Sequence, residues 1–211
     1  AHSFFTTYAA VDKWMPPETP TPVSERALMD RWVISVAQSL VRDVNTEMEA
    51  YRLYNVIPRV LGFIDHLTNW YIRRCRRRFW HNENPKDHGH AFETLYEVLC
   101  TFSRLLAPIL PFMADMLYQR LEVNIRPGAQ DSVHLESFPV ADDSLVDTAL
   151  EDAMAVMRDV VNLGRNLREQ KRIRVRQPLP LIKVASSKAL DPQLRDMLSP
   201  LVLEELNVKA I

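Results

Sequence analysis

Glycine is nearly missing from this sequence, with four in 211 residues. Each stands alone, so neither a Walker-type phosphate loop nor a dinucleotide-binding turn can be assembled. Cysteine is scarcer still. Cys75 and Cys100 form no CxxC pair and no disulfide framework, which points to reduced thiols. No apolar stretch approaches the roughly 18 residues that suggest a bilayer span, and no basic-then-apolar leader opens the chain. The expectation is therefore a cytoplasmic protein with no membrane partner. An excess of one charge is also lacking: 26 Lys plus Arg against 27 Asp plus Glu leaves −1. Any basic surface must be local.

What is present is a large apolar fraction, 47%, recurring at three- and four-residue steps. That pattern in a glycine-poor chain predicts a mainly α fold. Residues 1–23 hold a short apolar segment, Ser3 to Trp14, running into Pro16, Pro17, Pro20 and Pro22, which cannot be helix interior. Ser24 is the expected N-cap of a helix through Leu28, Trp32, Val36, Leu40 and Val44. A single long helix is expected from Tyr54–Pro58 onward, with Val60, Ile64, Leu67, Tyr71, Cys75 and Phe79 on its inward stripe. His81 to His90 reads as a loop by its turn residues. Helical periodicity returns from Ala91, and Pro108 and Pro111 predict a bend rather than a stop. After a polar loop over 124–143, a last long helix is expected from Leu145 to about Gln170, with Leu150, Met154, Met157, Val161 and Leu167 inward. Beyond it the period changes to alternation. Residues 172–176, 181–185 and 206–211 are strand candidates, with a short helix over Pro192–Leu198. The expected organisation is a helical bundle over 24–170 followed by a small α/β appendage over 171–211. The chain starts at Ala1 rather than Met and ends on a strand candidate, which reads as a piece of a longer protein.

Catalytic signatures are hard to find. Ser, His and Asp are scattered without a nucleophile motif. His81, His88 and His90 with Cys75 or Cys100 match no zinc spacing. The distinctive run is Trp70-Tyr71-Ile72-Arg73-Arg74-Cys75-Arg76-Arg77-Arg78-Phe79-Trp80. Five arginines in six positions suit phosphate oxygens, and the flanking rings suit unstacked bases. The competing reading pairs some of these arginines with acids on neighbouring helices and sinks the tryptophans in the core. Within this run Cys75 could be an activated thiol; a buried small residue is the simpler expectation. A second basic run joins Arg165, Arg168, Lys171, Arg172, Arg174 and Arg176. Favourable placement at a helix C-terminus or contact with a polyanion accounts for it equally well.

The run Asn69 to Trp80 closely resembles the segment that marks isoleucyl-tRNA synthetases among the class I enzymes. Met29-Asp30-Arg31-Trp32 is similar to the start of their anticodon-binding bundle, and Leu106-Ala107-Pro108-Ile109-Leu110-Pro111-Phe112 to its kinked helix. Val175-Arg176-Gln177-Pro178-Leu179 and Glu204-Glu205-Leu206-Asn207-Val208-Lys209 look like the junction beyond it. The resemblance makes residues 1–23 a connector from the catalytic core and implies an ATP-dependent isoleucine–tRNA ligase. This portion would hold the anticodon stem–loop of the tRNA for isoleucine, through Arg73, Arg74, Arg76, Arg77, Arg78, Trp80, Arg172, Arg174 and Arg176. The His-Ile-Gly-His and Lys-Met-Ser-Lys-Ser signatures are absent, so no catalytic residue carries over. ATP with magnesium would lie outside these residues in a monomeric parent, with zinc there left open. Valyl-, leucyl- and methionyl-tRNA synthetases use similar bundles, and a helical interaction domain without RNA remains the reading from another class. The triple arginine followed by Phe79-Trp80 favours isoleucine.

Overall fold

Four prolines forbid helix between Lys13 and Pro22, and the chain there runs as an irregular strap. The computed structural model describes residues 1–80, 84–126, 128–185 and 190–211. Before the strap lies α1 (His2–Asp12). The expected cap at Ser24 is replaced by a 3₁₀ turn over Val23–Glu25, and α2 (Leu28–Glu49) begins at Ala27 without a side-chain cap. Arg26 is the reason. Its guanidinium turns inward to Glu97 at 2.8 and 3.0 Å, to Thr94, and to the Thr21 carbonyl at 2.6 Å, tying the strap to the helix behind it.

The long helix expected from Tyr54 is interrupted. After α3 (Val56–Asp65) comes a π-helical turn, His66–Ile72, and then α4 (Arg73–Trp80). A π turn holds an extra residue, which shifts the helical register across it. Of the predicted stripe Val60, Leu67, Tyr71, Cys75 and Phe79 are buried, while Ile64 is 38% exposed and Phe63 is buried instead. The predicted loop is helix from Pro85 to His90, because α5 (Pro85–Leu106) starts with proline at its first position and Asn84 accepting the Asp87 N–H at 3.3 Å. His81 lies outside the described residues. The predicted bend is a stop: α5 ends at Leu106, residues 107–110 turn, and α6 (Pro111–Tyr118) restarts on Pro111. A second π turn, Gln119–Val123, follows it.

The chain divides into two compact units, Ala1–Val146 and Asp147–Ile211. In the first, α5 is the central element, packing against α1, α2, α4 and α6. Its core holds Trp32, Val33, Val44, Phe63, Tyr71, Phe79, Phe92 and Leu95. The second unit holds α7 (Thr148–Gln170) and α8 (Pro192–Leu206). The division keeps these two helices together, whereas a boundary at residue 170 parts them. Gly164 lets them meet, since a Cβ there would lie 2.4 Å from Leu206 Cδ1. Leu150, Met154, Met157 and Val161 are buried as expected. Leu167 is 55% exposed, and Arg168 is buried instead. Among the described residues the predicted strands shrink to one parallel bridge, Leu179 to Val208, and the predicted short helix runs on through Pro200. The fold is mainly α.

Candidate nucleic-acid interface

Helix α4 sorts its five arginines by position. Tyr71, Cys75 and Phe79 are buried, and they carry Arg78 with them to the inner edge of the helix. Arg78 Nη1 and Nη2 grip Asp30 of α2 at 2.8 and 2.7 Å, while Nε and Nη2 grip Asp87 of α5 at 2.8 Å each. Burial works against the Arg78 charge, but the hydrogen bonds and charge of Asp30 win and hold its pKa above the usual arginine value. Arg78 thus sits apart from the other arginines of the run, held between two acids. Its donors are already committed, and Asp30 is fully buried.

The other members face outward. Arg73, Arg76 and Arg77 are exposed and Arg74 is half-buried. Arg76 and Arg77 meet no carboxylate among the described residues. Arg73 lies over the Trp70 ring at 5.9 Å and donates to the Asn69 carbonyl. Arg76 lies 4.8 Å from the Trp80 ring centroid, and Tyr8 of α1 meets the same ring at 6.0 Å. Trp80 is 42% exposed, a half-open ring with a cation on it, whereas Trp70 is in the core. Cys75 is a core residue too. Burial pushes its thiol up to about 12, so the activated-thiol reading is overturned.

Helix α1 is seated on this end of the unit. Phe4 meets Phe79 at 5.0 Å, and Phe5 packs near Phe92 and Trp14. His88 sits between the Arg78 carbonyl, 2.6 Å from Nδ1, and Asp12, 3.1 Å from Nε2. His90 is buried.

The second basic run, in the other unit, is reorganised as well. Residues 172–176 form no strand; Arg172 has φ 54° and ends the turn that closes α7. Buried Arg168 donates to the carbonyls of Arg174, Gln177, Leu206 and Asn207, and the Asn207 amide donates to those of Val175 and Arg176. Arg165 pairs with Glu205. That leaves Arg172, Arg174 and Arg176 on a loop whose backbone is stapled from behind. Their side chains are exposed and have no acidic partner among the described residues. In the sequence Arg168 is one more cation of the run, and its neighbours give no sign of the carbonyls it gathers. Nor does the sequence mark Tyr51, Tyr54 and Phe112 as open rings, 89%, 73% and 91% exposed.

Gly62, Gly89 and Gly164 lie inside α3, α5 and α7, and Gly128 lies in a loop. These glycines build no glycine-rich phosphate loop. Among the described residues no group of three or more His, Cys, Asp or Glu side chains is placed to hold a metal ion. No described helix is long and apolar enough to cross a membrane.

Residues 30–184 match the family model for the anticodon-binding domain of tRNA ligase. The chain belongs to that family. Over its whole length it is similar to isoleucine–tRNA ligases, with 42% identity across 210 residues to that of Dehalococcoides mccartyi strain 195. The Bdellovibrio bacteriovorus and Thermus thermophilus proteins of that name are 40% and 39% identical. In each case all of this chain is covered and only 20–21% of the relative. The chain thus spans about a fifth of the length of the curated relatives it matches. The family match begins at Asp30, the residue that anchors Arg78, so the clamp between α2, α4 and α5 lies inside the matched domain.

Proposed function

We propose that this chain holds the anticodon stem–loop of the tRNA for isoleucine within an isoleucine–tRNA ligase, and that it contributes RNA contacts but no catalytic group. The observation that carries this reading is the sorting of α4. One arginine is consumed inside, while Arg73, Arg76, Arg77 and the half-open Trp80 project together on the outside. Exposed guanidinium forks next to an aromatic face suit the phosphates and unstacked bases of a single-stranded loop. Arg172, Arg174 and Arg176 form a second cationic surface of the same kind, and half-buried Arg74 is a supporting charge. ATP and magnesium act in the remaining four-fifths of such an enzyme, in a monomeric cytoplasmic parent.

Filter binding of the chain to an isoleucine tRNA transcript, against a scrambled RNA of equal length, tests this. Preferential binding that weakens steeply from low to high salt is the expected result. Equal retention of both RNAs, or affinity indifferent to salt, would overturn it.

A further inference from the structure

The roll of α4 about its own axis decides which arginines reach solvent, and few of its contacts are directional enough to set it. In an α-helix successive side chains are about 100° apart. Taking Arg78 as the inward reference, Arg76 and Trp80 then fall together about 160° away, with Arg73 and Arg77 following within about another 100°. The four groups assigned to RNA thus occupy one arc opposite Arg78. Cys75 and Phe79 also face inward, but apolar contacts are non-directional and tolerate a change of roll. A planar fork gripping two carboxylates on two helices does not.

From this we infer that Arg78 is the positioning residue of the RNA-facing array. It touches no nucleotide itself. Its double grip on Asp30 of α2 and Asp87 of α5 fixes α4 in roll, with Nη2 shared between the two acids and also 3.2 Å from the Asp87 carbonyl. Asp30 is held in turn by the Tyr71 hydroxyl, which donates to Oδ1 at 2.7 Å. The π turn just upstream shifts the hydrogen-bond register between α3 and α4, so the roll of α4 differs from the one a regular α-helix would carry on from α3. For a side chain about 6 Å from the axis, a roll of about 10° is a displacement of about 1 Å. That is enough to take a guanidinium fork off a phosphate.

The inference rests on the reading that α4 faces RNA, and the test keeps the two apart. Binding of the chain to the isoleucine tRNA transcript would be measured across salt at a temperature where circular dichroism shows parental helix content. The variants are Arg78→Lys, Asp87→Asn and Arg77→Ala. Asp87→Asn is decisive, because removing a carboxylate near a polyanion should by simple electrostatics tighten binding. Loss of the clamp should instead weaken it and lower the salt slope, by about one unit for each phosphate that an arginine no longer reaches. Weaker binding by both Arg78→Lys and Asp87→Asn is the expected result. If Arg77→Ala weakens binding while folded Asp87→Asn binds as tightly as the parent or tighter, Arg78 only stabilises the fold and the inference fails. If Arg77→Ala also leaves affinity and slope unchanged, the α4 reading falls and takes the inference with it. Should Arg78→Lys not fold, Asp87→Asn alone decides.

Discussion

The guanidinium of Arg78 and the carboxylate of Asp30 meet fork to fork at 2.7 and 2.8 Å, across 48 positions of sequence and with Asp30 wholly out of solvent. Removing the acid strands a largely buried cation and frees the Tyr71 hydroxyl from its partner. Asp30→Ala should therefore lower the stability of the first unit by about 3 kcal/mol, the lower end for breaking a buried pair, because Asp87 keeps its hold on Arg78. Chemical denaturation checks this. A change under about 0.5 kcal/mol, the size expected at an ordinary surface site, would contradict it.

The stapled loop of the second unit offers a cleaner test of RNA contact than α4 does. Arg172, Arg174 and Arg176 make no side-chain contacts that the fold needs among the described residues. Replacing Arg174 and Arg176 together by Ala should leave melting within the range of exposed sites. The salt slope of tRNA binding should fall by about one unit for each phosphate these side chains had neutralised. An unchanged slope would assign these cations to solvation alone.

For Trp80 the measurements divide two roles. Loss of a stacking partner costs about 1–3 kcal/mol of binding, while loss of a core tryptophan costs about 3–5 kcal/mol of stability. At 42% exposure, with Tyr8 on one side and Arg76 on another, Trp80→Ala should weaken RNA binding more than it lowers the melt. A collapsed melt with unaltered affinity of the folded fraction would make Trp80 only the seat of α1.

Glu47 predicts part of the acid limb of stability. Hydrogen bonds from Arg52 at 2.7 Å and Asn55 at 2.9 Å, aided by the charges of Arg52 and Arg59, hold its carboxyl down to about 2. A carboxyl depressed in the folded state binds protons more readily when unfolded. Its contribution is therefore complete above the ordinary glutamate value near 4.5 and is lost as pH falls from there toward 2. Glu47→Gln should flatten the stability profile across that window and leave its shape unaltered near neutrality. Parallel profiles for parent and variant would count against the pairing.

Both thiols should be silent in the native state. Burial raises Cys75 to about 12 and raises Cys100 as well. Thiolate-selective reagents at neutral pH should then label neither until denaturant is added. Rapid stoichiometric labelling of the folded chain would show that this part of the core opens.

How far these features could be read beforehand differs from one to the next. The core side of α2 was legible because Trp32, Leu40 and Val44 repeat at helical spacing and nothing interrupts them. The inward stripe held at Val60, Leu67, Tyr71, Cys75 and Phe79 and missed at Ile64, because periodicity assumes a constant turn and the π segment changes it. Arg78 and Arg168 look like their neighbours in sequence. What separates them is the presence of Asp30, Asp87 and four backbone carbonyls brought from elsewhere in the chain, information held by tertiary packing alone. The strand over 172–176 failed for a related reason: alternation of Arg with Ile and Val resembles a pleat, but the backbone carbonyls there are drawn to Arg168 and Asn207 instead of to a second strand.

The π turn at His66–Ile72 makes α4 sensitive to length rather than to lettering. Any one side chain in the turn can be exchanged without altering how many residues separate Phe63 from Arg78. Dropping the turn's extra residue would close it to regular α-helix with little change of roll, whereas adding one more would turn everything downstream by about 100°. The fork of Arg78 would leave its two acids, and the arc holding Arg73, Arg76 and Arg77 would swing toward the interior. Variation between this chain and its relatives should therefore be freer in identity than in residue count across this stretch. One added position there would mark a protein whose outward face is built from different side chains.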